Sequence, residues 1–376
     1  DTVADEGFIP DGIEEVPLLR VDKNGNGIVD KDDFFLAHVS GASDWIWRNE
    51  FIFRLDRYDD YRNYWLTVSN GEGRSMGVFQ SAKGALDTLD SFVDRIMYKR
   101  SLEQPTKDEE RTGGLEWIWA KLSSRNPSFS LNLNLSQPVK SSDFFVRVTT
   151  QPPIAGGSFN ISLGKKSYSN CRSGEYYSFN DIGNGDFRIT FSGDPGNTKS
   201  AVEIKDVQVK YKRTLTADSL SSYTVYSSDS AFIHRYNLRI LTDDLVYIFR
   251  LSADEKNVSL VDTIRNRRGE SVNWVDTGGT GLRYFICAER VLQQLPEVTL
   301  VSNLPRSRYT VGDLRNTSNG TDFIIITHPD FLSQAQDLAE HKDSVGFQPV
   351  VVRVNDVYRF FSGGDTDPTA IRNFVT

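Results

Sequence analysis

Apolar and polar positions change rhythm three times along this chain. In the first quarter, Trp45-Ile46-Trp47 and Phe51-Ile52-Phe53 read as short strand cores. Residues 58–68 carry Tyr58, Tyr61, Tyr64 and Trp65 into Leu66-Thr67-Val68, and predict a further strand. From Ser81 to Ser101, Leu86, Leu89, Phe92, Val93, Ile96 and Met97 follow helical spacing; that stretch reads as a helix, with Phe92–Tyr98 as the alternative strand.

A polar stretch from Glu103 to Gly114, with Pro105 and the charge run Lys107–Arg111, reads as a linker. Beyond it Phe129, Leu131, Leu133 and Leu135 alternate with Ser and Asn at period two. Residues 144–148, 159–163, 186–191 and 202–211 repeat the strand pattern, separated by clusters such as Gly156-Gly157 and Gly193-Asp194-Pro195-Gly196. This punctuation predicts a β-sandwich of jelly-roll kind. A second β block follows over about 223–301, with 245–249 and 283–287 among its strands.

The last segment is different in kind. Asp322–Thr327 is a continuous apolar run, 331–345 an amphipathic helix, Gly346 its C-terminal cap and 349–354 a second apolar strand. Asp367-Pro368 opens another helix, with Asp as N-cap and Pro at the first helical position. Strand, helix, strand, helix is the start of a parallel α/β sheet. Thr376 falls inside that helix, and two parallel strands cannot bury both faces, so the sequence reads as part of a longer polypeptide. The expected organisation is multidomain and mainly β. A β-rich module carrying a calcium-type loop spans 1–104, and a β-sandwich spans 105–214. A second β module spans 215–315, and the opening of a parallel α/β domain spans 316–376.

Composition narrows the function classes. Lys and Arg number 43 against 51 Asp and Glu, a net charge of −8, which argues against a nucleic-acid partner. Only Cys171 and Cys287 are present, so neither a disulfide scaffold nor a multi-thiolate zinc site is available. No run of about 18 apolar residues occurs, and no signal peptide opens the chain. His38, His234, His328 and His341 are not spaced as zinc ligands. His328 ends an apolar strand and reads as a turn residue before Pro329; neither Cys is placed beside a His. Gly278–Gly281 and Gly363-Gly364 read as turns, not phosphate loops.

The sharpest motif is the segment from Asp22 to Asp33. Oxygen side chains fall at loop positions 1, 3, 5, 9 and 12, namely Asp22, Asn24, Asn26, Asp30 and Asp33. Gly27 stands at the sharp turn, and Ile28 would offer its carbonyl. A hard cation such as calcium takes six to eight oxygens, and this spacing wraps them around one point, as in EF-hand or dockerin loops. The expectation is a structural calcium ion. The alternative is an Asn-Gly-rich acidic turn.

Residues 322–331, Gly346-Phe347, 350–354 and the run Phe360-Phe361-Ser362-Gly363-Gly364 to Asp367-Pro368-Thr369-Ala370-Ile371-Arg372 resemble the opening of a gingipain-type cysteine peptidase domain. The Asp22–Asp33 loop, Tyr58–Leu66 and Thr112–Trp119 are similar to the front of the sortase branch of that family, which serves type IX secretion. Tyr98-Lys99-Arg100-Ser101 departs from the His-Glu-Lys-Asp often found there.

The resemblance implies an exported protein at a bacterial cell surface or outer membrane. It implies a Cys–His enzyme that removes the C-terminal secretion signal of cargo proteins and transfers the cargo to anionic lipopolysaccharide. Cargo with C-terminal sorting domains and outer-membrane secretion components would be its partners. The family's catalytic pair follows further strands, so no residue of this chain inherits a catalytic role, and the chain itself is expected to be inactive. Two other readings are a secreted gingipain-like protease with accessory β domains, and a non-enzymatic, calcium-stabilised β-sandwich that binds glycans or partners.

Overall fold

A computed structural model describes residues 13–56, 58, 60–67, 70–85, 87–99, 118–150, 158–180, 186–193, 202–227, 232–265, 267–279, 281–294, 308–310, 312–316 and 320–376. The expected linker at 103–114 lies outside the described residues. Two compact units make up the chain. One comprises Trp47–Phe51 and Gly77–Leu292, the other Asp1–Ile46, Ile52–Met76 and Gln293–Thr376.

The larger unit is built from two β modules. In the first, one sheet runs in the order Tyr176–Phe179, Phe144–Thr150, Val202–Thr214, Ser91–Tyr98, with Ala120–Leu122 pairing onto the start of Val202–Thr214. The facing sheet runs Lys166–Cys171, Phe159–Leu163, Asp186–Gly193, Ser128–Asn134. Period-two alternation turns Phe144, Val146 and Val148 inward against Leu133, Phe159, Ile161, Phe179 and Val209, all within 1% of complete burial. This is the sandwich the sequence predicts.

The helical reading of Ser81–Ser101 is overturned: Asp87–Leu89 and Ser91–Tyr98 are strands, while Leu86 lies outside the described residues. Ser91–Tyr98 pairs antiparallel with Val202–Thr214, from Thr214↔Ser91 to Val207↔Tyr98. Its inward row includes Asp94, which is buried and accepts from the Tyr211 hydroxyl and the Arg213 guanidinium, each at 3.0 Å. A carboxylate in a core row hides the alternation, and tertiary pairing overrides the local spacing.

The second module stacks the sheet Ser222–Tyr226, Arg283–Ala288, Val246–Leu251, Val258–Ile264, Gly77–Val78 on Thr216–Ala217, Ile233–Ile240 and Ser271–Thr277. Asp87–Leu89 joins Ile233–Ile240 in parallel. The paired strands Ser91–Tyr98 and Val202–Thr214 thus continue on either side into the second module through Asp87–Leu89 and Thr216–Ala217. The expected strands at Trp45–Trp47 and Phe51–Phe53 appear as the hairpin Asp44–Trp47/Phe51–Arg54.

In the smaller unit, Leu18–Val21 and Phe34–Ala37 form an antiparallel hairpin that brackets residues 22–33. The described part of 58–67 is not a strand, against the sequence reading. Tyr58, Tyr61, Tyr64 and Leu66 are exposed, and the hydrogen bonds of Asn63 and Trp65 go to a distant turn and not to a ladder.

The C-terminal part is α/β as expected. Phe323–Thr327 pairs in parallel with Pro349–Arg353, from Phe323↔Pro349 to Thr327↔Arg353. Helix α1, Leu332–Ser344, lays Ala335 and Ala339 on Val351 at one face. Helices α2, Val354–Ser362, and α3, Pro368–Val375, cover the other face through Val357, Phe360 and Ala370 on Val352. Gly346 takes φ 97° after α1, a conformation that glycine adopts without strain. Asp367 caps α3 by accepting from Thr369 N at 2.8 Å. Helix α2 was not legible in sequence: its nine residues include two Val and three aromatics, poor helix formers.

Candidate functional site

Three places in the molecule could carry chemistry, and the two thiols are not among them. Cys171 is 1% exposed and Cys287 3%, and burial pushes both thiols up, Cys287 to about 11. Neither can supply a thiolate near neutral pH.

The first place is the carboxyl edge of the two parallel strands, where open α/β sheets bind ligands. His328 leaves this edge with its side chain exposed, and its Nδ1 accepts from Asp330 N at 3.3 Å, capping the short turn Pro329–Phe331. That agrees with the turn role read from sequence. Arg353 ends the second strand and grips Asp356 through Nε at 2.6 Å and Nη2 at 3.1 Å. Arg359 approaches the same carboxylate at 3.2 Å, and Asp356 is fully buried. Burial lowers the Arg359 guanidinium, and Asp356 opposes that shift. This triad was missed in the sequence; its signal is the three-residue spacing of Arg353, Asp356 and Arg359, which puts the side chains on one side of the helix start.

The second place is the turn Gly363-Gly364-Asp365 between α2 and α3. Trp65 Nε1 donates to Gly363 O at 2.7 Å, and Asn63 Nδ2 donates to Gly364 O at 2.8 Å. Asn63 N donates to Asp365 Oδ1 at 2.8 Å, with Arg62 at 3.9 Å from the same carboxylate. Beside it lies an open cleft of about 360 Å³ lined by Leu55, Asp56, Tyr58, Phe361, Ser362, Asp365, Thr366 and Asp367.

The third place is the Asp22–Asp33 loop. Asp22 accepts the backbone N–H of Gly25 at 2.7 Å and of Gly27 at 2.8 Å, so the chain wraps around its carboxylate. Asp30 accepts from the amides of Asn24 at 2.6 Å and Asn26 at 3.1 Å. Asp33 accepts from Lys23 N at 3.1 Å and Asp30 N at 3.3 Å. Ile28 N donates to Asn26 Oδ1 at 2.7 Å. The Gly27 amide first, then those of Gly25 and Asn26 with the Arg20 charge, hold the Asp22 carboxyl below the usual range against desolvation. For Asp30 the leading cause is the Asp32 amide, followed by the Asn24 side chain.

The donor set is all hard oxygen, as calcium chemistry requires, and Gly25 and Gly27 supply the positive-φ bends. The side chains are engaged with one another, however. Among the described residues no three His, Cys, Asp or Glu side chains are grouped to hold a metal. Calcium would need the Asn24 and Asn26 amides to present oxygen in place of nitrogen.

Compared with known proteins, residues 316–376 match the model of peptidase family C25. In fold the chain is similar to the crystal structure of dimeric latent PorU from Porphyromonas gingivalis. That match has 16% sequence identity and a TM-score of 0.67, over 96% of this chain and 34% of that one. The chain therefore spans about a third of the length of that protein. FLHE matches with 16% identity and a TM-score of 0.20, over 33% of this chain and 96% of its own. The CUB1-EGF-CUB2 region of human MASP-1/3 matches with 8% identity and a TM-score of 0.18, over 52% and 99%. No curated protein sequence matches the chain. The mainly β architecture leading into the start of a C25 domain is thus shared with PorU.

Proposed function

We propose that the polypeptide carrying this chain is a gingipain-family cysteine peptidase acting as a sortase. It removes the C-terminal secretion signal of type IX cargo and transfers the cargo to anionic lipopolysaccharide at the outer membrane. The observation that carries this reading is the PorU-like fold across 96% of the chain, through both β modules and into the segment that matches family C25. No residue of this chain takes a catalytic role in it. The two thiols are buried, and the α/β segment contributes the first two strands and three helices of the peptidase domain.

The chain's own contribution is architectural. The Arg353–Asp356–Arg359 triad fixes the start of α2 against the strand end, which sets the carboxyl edge where chemistry in such sheets takes place. The Asp22–Asp33 loop holds a structural calcium ion through Asp22, Asn24, Asn26, Asp30, Asp33 and the Ile28 carbonyl. Its support is the all-oxygen donor spacing and the wrapping of backbone amides about Asp22.

Deletion of the encoding reading frame tests the proposal. Cargo proteins should accumulate with their C-terminal signal uncleaved and without lipopolysaccharide. Normal maturation of cargo in the deletion strain would overturn it.

A further inference from the structure

The turn Gly363-Gly364-Asp365 is completed by a segment about 300 residues earlier in sequence. Helix α2 ends here, and its last carbonyls have no partner within the helix. Gly363 and Gly364 take φ 70° and 101° in succession, which turns their carbonyls toward the donors of Asn63 and Trp65. Arg62 adds a positive charge 3.9 Å from Asp365. The fit is close: a Cβ on Gly364 would lie 3.3 Å from Asn63 Cβ. The donating segment is itself anchored, since Arg62 Nη1 donates to Ser40 Oγ and Tyr64 OH to Ser40 O, each at 2.9 Å.

From these contacts we infer that residues 62–65 are a latch, and that the Gly363–Asp365 turn is its receptor. The latch keeps residues 308–376 bound to the front segment when the backbone is cut between 295 and 307. The contact is bonded from both sides and does not depend on the covalent connection. Trp65 and Asn63 bind the two carbonyls just past the end of α2, and α2 separates the receptor from Arg353 by nine residues, about 13 Å of helix. The latch therefore holds the α/β segment without occupying the carboxyl edge of its strands. This inference concerns the chain's assembly and goes beyond the proposed activity.

The test uses the full chain with a site-specific protease sequence placed within 295–307. After cleavage, the wild-type C-terminal piece should co-elute with the remainder on gel filtration at micromolar concentration. Asn63→Asp with Trp65→Phe removes two donors, keeps the size at position 63 and an aromatic ring at position 65, and sets a second carboxylate beside Asp365. It should weaken retention about tenfold or more. Gly364→Ala, made on the receptor side, should weaken it in the same direction. Release of the piece from the wild type, or retention in both variants equal to wild type, would overturn the latch.

Discussion

Gly281 packs so closely beneath Trp47 that a Cβ at position 281 would lie 2.5 Å from Trp47 Cγ and 2.7 Å from Ala253 Cβ. Its φ of +80° adds a second reason for glycine. Left-handed backbone and overpacking together predict that Gly281→Ala lowers stability by about 2–5 kcal/mol. Urea denaturation measures this. Repeated in a Trp47→Ala background, the loss should shrink by about 1 kcal/mol or more, because the ring it collides with is gone. Equal losses in both backgrounds would show that the ring contact is not what requires glycine.

Asp94 is a buried carboxylate in the sandwich and joins Tyr211 and Arg213. The side chains of Asp94 and Arg213 are 12% and 11% exposed, so the pair is largely desolvated. Asp94→Ala leaves the Arg213 charge without its partner and is expected to cost about 3–5 kcal/mol. Tyr211→Phe removes a hydroxyl whose single proton is shared between Asp94 and Ser136 O, and leaves no charge unpaired, so it should cost only about 1 kcal/mol. Denaturation midpoints of the two variants should fall in that order; the reverse order would exclude Asp94 as the centre of the network.

How far the sequence exposes this architecture depends on where the polar residues fall. Phe144 to Val148 alternates cleanly and reads as a strand, while Phe92 to Tyr98 reads as a strand only as the alternative to a helix, because Asp94 occupies a core position. Gly346 and Asp367-Pro368 mark helix ends by local backbone chemistry and could be located to the residue. The aromatic run at 58–66 reads as a strand because its composition suits a pleat. Its donors are used across about 300 residues at the Gly363–Asp365 turn, a pairing no local pattern encodes. The same holds for the candidate sites. Spacing alone reveals the Asp22–Asp33 loop, whereas Arg353, Asp356 and Arg359 gain meaning only when the strand end and helix start are in place.

The calcium proposal has a direct thermodynamic signature. Calcium bound to the native state alone raises Tm by linkage, with about 2.7 kcal/mol gained at a hundredfold excess over Kd. Asp22→Ala should abolish the shift, because it removes a ligand and the acceptor of two backbone amides. Magnesium, which demands stricter octahedral geometry, should give a smaller shift. Identical melting with calcium and with chelator would remove the ion from the account.

The loop should also respond to acid. Asp22 and Asp30 have lowered carboxyl values in the fold, so their stabilising contribution is present above the unfolded value of about 3.9 and is lost as pH falls through the lower folded value. Carbonyl-detected NMR titration should give midpoints for both below that of an unfolded Asp. The Asn24→Ala variant should move Asp30 upward more than Asp22, since only Asp30 accepts from that amide. Unshifted midpoints would contradict the hydrogen bonding described for the loop.

The buried thiols make a final, exclusionary prediction. A thiol whose value is raised by burial keeps its proton in the fold after the unfolded chain has begun to lose its own. The associated stability is therefore full below about pH 8.5 and declines as pH rises toward 11. At pH 8 the thiolate fraction of Cys287 is on the order of 0.1%. Ellman's reagent should label neither Cys171 nor Cys287 in the native chain at that pH, and both after denaturation. The same chemistry bears on catalysis: the chain should show no turnover of peptide substrates, and Cys171→Ala and Cys287→Ala should leave that baseline unchanged. Turnover that disappears with either substitution would mean that a thiolate forms where burial forbids one, and would move the nucleophile of the proposed peptidase into the β modules.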